Sequence, residues 1–448
     1  MTTRLASFAA TLLLLVAVAL PARAVEVARV VSPGGIEAWL VEDHSNPIIA
    51  LELAFRGGGA LDPAGKEGLA NLLAGTLDEG AGELDSQAFQ ARLQDLAIRL
   101  SFDSGVDSFQ GSLQTLTENR DSAFELLRLA LTAPRFDAEP LERIRSQILA
   151  GLRQRSEDPD YIAGRTLRQM LFPGHPYSRP SDGTPESLAG ITADDLRRFV
   201  AGRLARDNLK IAVVGDISAA ELAALLDATF GSLPARAAPI SVPEVTAAAE
   251  GGVVVIDKAV PQSVVALGQP GIKRHDPDFY AAYVVNYVLG GGGFASRLYE
   301  EVREKRGLAY SVYAYLSPLD HSSLVAGGVA TANARVAESL ALIRQEWARM
   351  AEDGPTAEEL EDAKTYLTGS YPLRLSSSGR VAGMLVGIQL DELGIDYINQ
   401  RNDFIEAVTL EDARRVAARL YDVDALSVVV VGQPEGIKPT RPAPAGAS

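Results

Sequence analysis

The sequence predicts an α+β protein made of two homologous units, each an antiparallel sheet with helices packed on one face, arranged as two clamshell-like halves. Three observations predict this fold class. Short segments alternate apolar and polar residues, as half-buried strands do. Segments with helical periodicity lie between them. The same order of segments then occurs a second time, which indicates two copies of one structural unit.

The first residues predict a secretory signal peptide. Arg4 precedes the apolar run "FAATLLLLVAVAL", and Pro21-Ala22-Arg23-Ala24 supplies a small-residue cleavage pattern. We expect cleavage after Ala24 and no stable membrane insertion afterwards. An uncleaved anchor is the alternative, but the apolar run is short for a membrane span. The location expected from this segment is the periplasm.

The first unit reads as strands followed by helices. "GIEAWLVE" and "IIALELAF" alternate like strands, and "IRLSFDSGVDSFQGSLQTL" reads as a strand–turn–strand hairpin. The pattern predicts helices over about Gly65–Glu79, through "DSQAFQARLQDLA", and over Arg120–Thr132 and Ala138–Ser156. "LKIAVVGD" is typical of a buried strand, and a helix capped near Ser218 follows.

The second unit repeats this outline after a segment rich in Pro and Ala. "VVVIDKAVPQSVVALGQPG" predicts strands, "DPDFYAAYVVNYVLG" a helix, and "AYSVYAYLSPLDHSSLVAGGVAT" a second hairpin. "TAEELEDAKTYLTGSY" matches "DAEPLERIRSQILAGL" of the first unit in position and pattern. The predicted organisation is a signal peptide at 1–24, a first domain at 25–233, a linker at 234–252, a second domain at 253–437, and a disordered tail at 438–448.

Composition excludes several classes of function. Lys and Arg total 42 and Asp and Glu total 58, so the net charge is −16. A surface this acidic repels nucleic acid and anionic lipid, and neither is an expected partner. The chain has no cysteine, which excludes disulfides, a cysteine-linked lipid anchor and a cysteine nucleophile. In the hairpin turn, Asp103 and Asp107 are most simply turn formers.

The stretch "GLANLLAGTLDEG" has the shape of a metal-binding helix without its ligands. Asn71 and Gly75 are four residues apart and share a helix face, with Ala74 beside them. His, Glu and His at these positions would form the inverted zinc motif H-x-x-E-H, with the Glu as catalytic base. A neutral amide is a poor zinc ligand, Gly has no side chain, and Ala cannot accept a proton. The four histidines are scattered, and we expect surface or packing roles for His44, His175, His275 and His321.

The chain resembles the pitrilysin/insulinase family of zinc peptidases, in the short form that builds a two-chain enzyme. The resemblance extends from about Val27 to Gly436. It is carried by "GLANLLAGTL" where the family has its zinc helix, by "LERIRSQILAGLRQRSEDP", by "GHPYSRP", and above all by "LGGGGFASRLYEEVREKRGLAYSV". The resemblance implies a third zinc ligand, a Glu, at the position of Gly151. All four degenerate positions, Asn71, Ala74, Gly75 and Gly151, therefore lack the family's chemistry, and no cofactor is expected in this chain.

The second unit contains an arginine and a tyrosine that could contact a substrate. "REKRGLAY" contains Arg303 and Tyr310, seven residues apart. The resemblance implies that this pair reaches across the chamber of the assembled enzyme to the substrate and to the developing oxyanion. A phenolic hydroxyl and a guanidinium are both donors suited to negative charge. The residues themselves also allow a plainer interpretation, a helix-end Arg and a strand Tyr packed at an edge.

Four consecutive glycines, Gly290, Gly291, Gly292 and Gly293, precede this pair. A phosphate-binding loop would end in Gly-Lys-Ser/Thr, whereas Phe294-Ala295-Ser296-Arg297 follows here, after a helix rather than a strand. The resemblance implies a flexible segment beside the substrate chamber that acts as a hinge.

Two functions remain open from the sequence. The first is the non-catalytic subunit of a heterodimeric periplasmic zinc metallopeptidase, which binds peptide and donates Arg303 and Tyr310 to a homologous partner. That partner would carry H-x-x-E-H and the zinc. The second is an inert peptide-binding or assembly protein of the same fold. A self-sufficient metallopeptidase would need ligands that the sequence does not contain.

Overall fold

The structure is a computed structural model that describes residues 25–446. The predicted signal peptide, residues 1–24, lies outside the described residues. Within the described part, no helix combines the length and the hydropathy that crossing a bilayer requires.

The first sheet has six strands in the order β1-β2-β6-β3-β5-β4. Its strands are β1 (Ala28–Val31), β2 (Glu37–Glu42), β3 (Ile48–Arg56), β4 (Arg99–Ser104), β5 (Ser108–Leu116) and β6 (Leu209–Gly215). All neighbours pair antiparallel except β2 and β6, which are parallel. The predicted hairpin forms β4 and β5, with β4 at the edge of the sheet.

The second sheet repeats this plan with five strands in the order β7-β11-β8-β10-β9. Its strands are β7 (Gly252–Asp257), β8 (Gln262–Pro270), β9 (Ala309–Pro318), β10 (Ser323–Ala332) and β11 (Ser427–Gly432). The hairpin β9–β10 again ends at an edge, and the last strand is again inserted into the interior of the sheet. The predicted fold class, two related α+β units, is confirmed.

The helices follow in chain order. In the first half they are α1 (Leu69–Ala74), α2 (Ser86–Asp95), α3 (Arg120–Thr132), α4 (Ala138–Ser156), α5 (Pro159–Leu171), α6 (Pro185–Gly190), α7 (Ala193–Arg203) and α8 (Ala219–Phe230). In the second half they are α9 (Phe279–Asn286), α10 (Val336–Asp353), α11 (Ala357–Gly369), α12 (Ser378–Leu390), α13 (Tyr397–Glu406) and α14 (Leu410–Leu420). The Ser218 hydroxyl caps α8 by accepting from the backbone N–H of Glu221, where the sequence predicted a cap.

Both faces of each sheet are covered, and the second cover comes from the opposite half. On β6, Ile211 and Val213 face the core of the first half, whereas Ala212 and Val214 pack against α12 of the second half. Helix α5 of the first half covers β8 and β11 in the same way. The sequence predicted helices on one face only, because strand alternation does not show which distant segment covers the other face.

The segments between and after the halves contact the sheets. Residues 234–250 form no regular element, but the backbone N–H groups of Val245 and Ala248 donate to the carbonyls of His321 and Leu171. After β11, the backbone N–H of Thr440 donates to the carbonyl of Val253, 2.9 Å away. The first segment therefore contacts both halves, whereas the second lies beside β7 at the edge of the second sheet.

Candidate functional site

Helix α1 is shorter than the sequence predicted. Gly68 has a φ of +88°, a left-handed conformation that closes the turn before the helix, and the predicted span of about Gly65–Glu79 is wrong in length. The helix ends as the Thr76 hydroxyl donates to the Leu72 carbonyl. The N–H of Gly75 still donates to the carbonyl of Asn71, so these two positions lie one turn apart as expected.

The space beside Gly75 is filled by another side chain. A Cβ at Gly75 would lie 2.9 Å from Cγ2 of Ile144 on α4, closer than Cβ contacts occur. Gly151 lies two turns further along α4, where an added Cβ would meet only the Arg155 side chain, at 3.8 Å. Ala74 is buried. The sequence could not reveal Ile144, because it approaches α1 only in the folded chain.

The residues at these positions do not fit zinc. Asn71, Gly75 and Gly151 provide no imidazole, thiolate or carboxylate, and Ala74 provides no base. Among residues 25–446, no three His, Cys, Asp or Glu side chains are grouped so that they could hold a metal ion. The residues present at these four positions therefore do not fit a zinc ion.

The carboxylates that follow α1 have other partners. Glu79 pairs with Arg143 on α4, and the side-chain amide of Gln90 donates to the Asp78 carboxylate at 3.4 Å. Burial raises the pKa of Asp78 to about 6, and the charge of Glu79 adds to this effect. Both groups are structural neighbours of the degenerate site.

Arg303 and Tyr310, to which the family resemblance assigns a joint role, lie in contact in the folded chain. Arg303 lies on a π-helical turn, Tyr299–Glu304, and Tyr310 lies near the start of edge strand β9. Gly307, with a φ of +60°, makes the tight connection between them. The guanidinium carbon of Arg303 is 4.8 Å from the centre of the Tyr310 ring. Tyr310 is 82% exposed, so its hydroxyl is available to another molecule.

Two further aromatic rings complete this site. Arg303 also lies 4.7 Å from the ring centre of Tyr299 and 5.5 Å from that of Phe294. Sequence reasoning missed both rings. One feature of the sequence could have indicated Phe294. It is a large apolar residue directly after four glycines, at a position that was not predicted to be buried.

The four glycines form a compact turn rather than an open loop. Tyr287–Gly291 is a π-helical turn against β9. A Cβ on Gly290 would lie 2.6 Å from the backbone nitrogen of Ala314, and one on Gly292 would lie 2.8 Å from the Tyr287 carbonyl oxygen. Close packing therefore requires glycine at both positions. Gly293, with a φ of +55° and open space around it, has the freedom that the predicted hinge would need.

Strand β9 presents an uncharged edge beside this site. Its ten residues, "AYSVYAYLSP", pair with β10 on one side, and within residues 25–446 no strand pairs with the other side. Tyr313 and Tyr315 stack with ring centres 6.2 Å apart and are about half exposed. Native edge strands of this length usually carry charges that block further pairing. This edge is therefore chemically suited to accept an extended peptide.

A separate cavity of about 760 Å³ lies where the two halves meet, away from the predicted site residues. At its rim, Asp107 accepts from the Tyr177 hydroxyl at 2.8 Å and from the backbone N–H of Asp320 at 3.1 Å. Burial raises the pKa of Asp107. The sequence interpreted Asp107 only as a turn former, whereas the folded chain uses it to join the two hairpin turns.

Known proteins share sequence with much of this chain. The sequence model of the family described as "Peptidase M16 inactive domain" matches residues 190–367. The "Non-peptidase homolog YmxG" of Helicobacter pylori is 35% identical over 334 residues, covering 74% of this chain and 77% of that protein. The "Uncharacterized zinc protease YmxG" of Bacillus subtilis is 29% identical over 338 residues, covering 73% and 78%.

Solved structures show the same fold. A crystal structure of a peptidase M16 inactive domain from Pseudomonas fluorescens aligns with a TM-score of 0.86 at 29% identity, covering 94% of this chain and all (100%) of that one. A protease from Helicobacter pylori aligns with a TM-score of 0.83 at 19% identity, covering 92% and 100%, which is a likeness of fold.

Proposed function

Because this chain belongs to the peptidase M16 family of pitrilysin/insulinase-type zinc peptidases, as an inactive member, we propose that it is the non-catalytic subunit of a two-chain periplasmic zinc metallopeptidase. A homologous partner chain with H-x-x-E-H would bind the zinc. This chain would bind part of the peptide and complete the site.

The observation that carries the proposal is the contrast between the two halves. At positions 71, 74, 75 and 151, the amino-terminal half lacks the zinc ligands and the base that the family resemblance implies. The carboxy-terminal half keeps Arg303 and Tyr310 in contact and open to another molecule. A protein that only holds an assembly together has no need for an exposed phenol beside a guanidinium that pairs with no carboxylate among residues 25–446.

The proposed chemistry divides between the chains. The partner's zinc would lower the pKa of a bound water and so supply the nucleophile. The Tyr310 hydroxyl and the Arg303 guanidinium would donate hydrogen bonds to the substrate backbone and to the negative charge of the tetrahedral intermediate. Loss of one donor of this kind typically costs about 2.7–4 kcal/mol of transition-state stabilisation. Extended peptides would lie beside edge strands such as β9.

The experiment is reconstitution. The chain is co-purified from its native host, and any partner that contains H-x-x-E-H is then expressed separately. We expect no stoichiometric zinc in this chain by elemental analysis, little peptide cleavage by either chain alone, and a large increase when the two are mixed. One zinc per chain would overturn the ligand argument, and no increase on mixing would overturn the subunit role.

The second candidate is an inert peptide-binding or assembly protein of the same fold. The relative in Helicobacter pylori carries the name of a non-peptidase homolog, which favours this function as well as the first. This second function predicts that the chain binds peptide but that mixing it with a partner chain does not increase peptide cleavage. The reconstitution assay therefore separates the two candidates.

A further inference from the structure

The guanidinium of Arg303 is enclosed by three aromatic rings. Its carbon lies 4.7 Å from the ring centre of Tyr299, 4.8 Å from that of Tyr310, and 5.5 Å from that of Phe294. A cation within about 6 Å of a ring centre is attracted by the negative face of the ring. Three such rings restrict the guanidinium from several sides at once.

No carboxylate competes with the rings for this guanidinium. The neighbouring cations Lys305 and Arg306 both pair with Glu301, at 2.7 and 2.6 Å. In the part of the chain that the structure describes, Arg303 takes part in no ion pair and its side chain donates no hydrogen bond. The rings therefore set the direction of its N–H donors, and those donors stay free.

The position of Phe294 is not explained by burial. It is 76% exposed, so it gains little from burial. Its ring packs edge-on against Tyr299, with centres 4.7 Å apart. Tyr299, by contrast, is 5% exposed and belongs to the core of the second half. Tyr310 is 82% exposed and also gains little from burial, but its backbone belongs to strand β9, whereas Phe294 lies in the turn Gly293–Ala295 outside both sheets.

The turn that carries Phe294 is anchored on both sides. Gly293 has a left-handed φ of +55°, and its carbonyl accepts from the buried Ser296 hydroxyl at 2.8 Å. Arg297 forms a bidentate ion pair with Glu359 of α11, at 2.6 and 2.7 Å. The residues that follow Phe294 are thus held, and Phe294 lies next to Arg303.

We propose that Phe294 is a positioning residue that fixes the guanidinium of Arg303. The glycine segment would then serve to place the ring of Phe294 beside Arg303. The three rings would in turn hold the N–H donors of Arg303 in one direction. The catalytic consequence rests on the proposed function, whereas the effect on Arg303 itself does not.

The first test measures the chemical reactivity of Arg303 in the isolated full chain. Phenylglyoxal attacks the neutral guanidine, and rings that stabilise the cation slow this attack. We expect Phe294→Ala and Phe294→Leu to raise the modification rate of Arg303 about 5-fold relative to the exposed Arg236 of the same chain. Phe294→Tyr, which keeps an aromatic face, should match the wild type.

The matched control is Leu373→Ala, since Leu373 is 73% exposed and apolar but lies outside the enclosure. It should leave the Arg303 rate unchanged. Peptide mass spectrometry follows each arginine, and near-ultraviolet circular dichroism checks that every variant is folded. Equal Arg303 rates in the wild type, Phe294→Ala and Phe294→Leu would overturn the proposal.

The second test uses the reconstituted complex. A guanidinium with lost orientation should lower kcat by about 5-fold in Phe294→Ala, with KM changed less than about 2-fold and with recovery in Phe294→Tyr. Lower turnover with an unchanged Arg303 rate would mean that Phe294 acts by contacting another chain, and the positioning role would be wrong. A raised Arg303 rate with unchanged turnover would support positioning and would instead refute the proposed role of Arg303 in catalysis.

Discussion

Restoring the four lost side chains of the amino-terminal half should create a strong zinc site only if Ile144 is also made smaller. The perturbation is the quadruple variant Asn71→His, Ala74→Glu, Gly75→His and Gly151→Glu, with and without Ile144→Ala. In the folded chain, the Cβ of a residue at position 75 would lie 2.9 Å from Cγ2 of Ile144, whereas ordinary contact begins at 3.4 Å. Ile144 must therefore withdraw by about 0.5 Å in a packed interior.

The magnitude follows from this overlap. Ile144 is 8% exposed and belongs to the core of the first half, so it has little room to move. Overpacking of this kind costs about 1–3 kcal/mol. The unliganded variant should relieve this cost by letting α1 move away from α4, but zinc needs ligands from both helices, so the cost returns when zinc binds. The zinc dissociation constant of the quadruple variant should therefore be about 5- to 150-fold higher than that of the variant that also carries Ile144→Ala.

The assay is competition for zinc against a chromophoric chelator, with elemental analysis for stoichiometry. The control replaces Ile144→Ala by Ile148→Ala, since Ile148 is a partly buried residue one turn further along α4 that packs against the same core. This control should not tighten zinc binding. If Ile144→Ala gives no tighter binding than Ile148→Ala, Ile144 does not obstruct the site. If the wild-type chain binds one zinc tightly, the argument from missing donors is itself wrong.

Three further predictions concern the other half and the junction. Tyr310→Phe should lower turnover of the reconstituted complex by roughly 10²-fold, and unchanged turnover would exclude the hydroxyl as an oxyanion donor. Leu385→Ala removes a fully buried side chain of α12 and should lower the free energy of unfolding by about 2–5 kcal/mol in urea, whereas the exposed Leu373→Ala should change it by less than about 0.5 kcal/mol. Burial opposes ionisation of Glu359, but hydrogen bonds from Arg297 and Thr356 outweigh burial and lower the pKa of Glu359 to about 2. The stability that this ionised carboxylate contributes is present above its ordinary pKa of 4.5. It should be lost as the pH falls from 4.5 towards 2. The difference in unfolding temperature between the wild type and Glu359→Gln should therefore narrow as the pH falls through that range, which thermal unfolding of the two proteins measures.

Much of the fold could be read from local pattern. Helices α3 and α4 begin and end where helical periodicity predicted them, and Ser218 caps α8. Helix α1 was predicted too long, because apolar spacing continued through Gly68, whose left-handed backbone lies outside any helix. Helices α5 and α12 were not predicted, although they cover the second faces of both sheets. Their apolar faces pack against strands that lie far away in the sequence, so a local pattern does not show which surface they cover.

The candidate site was also only partly predictable from the sequence. The spacing of Arg303 and Tyr310 was visible in the sequence, and the structure brings the two side chains into contact. The ring of Phe294 could not be assigned to them, because a residue after four glycines has no predictable direction. Ile144 likewise gave no sign of its contact with Gly75, since the two positions meet only when α1 and α4 pack.

The sequence by itself determined the chemistry that is missing. Whether a position can bind zinc depends first on the atoms of its side chain, and Asn71, Gly75 and Gly151 lack suitable donors in any conformation. Only the tertiary structure decided what occupies the vacated space, which helix covers which sheet, and how three rings enclose Arg303. These are contacts between segments distant in the chain, and their energy depends on shape and distance after folding, which local residue patterns do not encode.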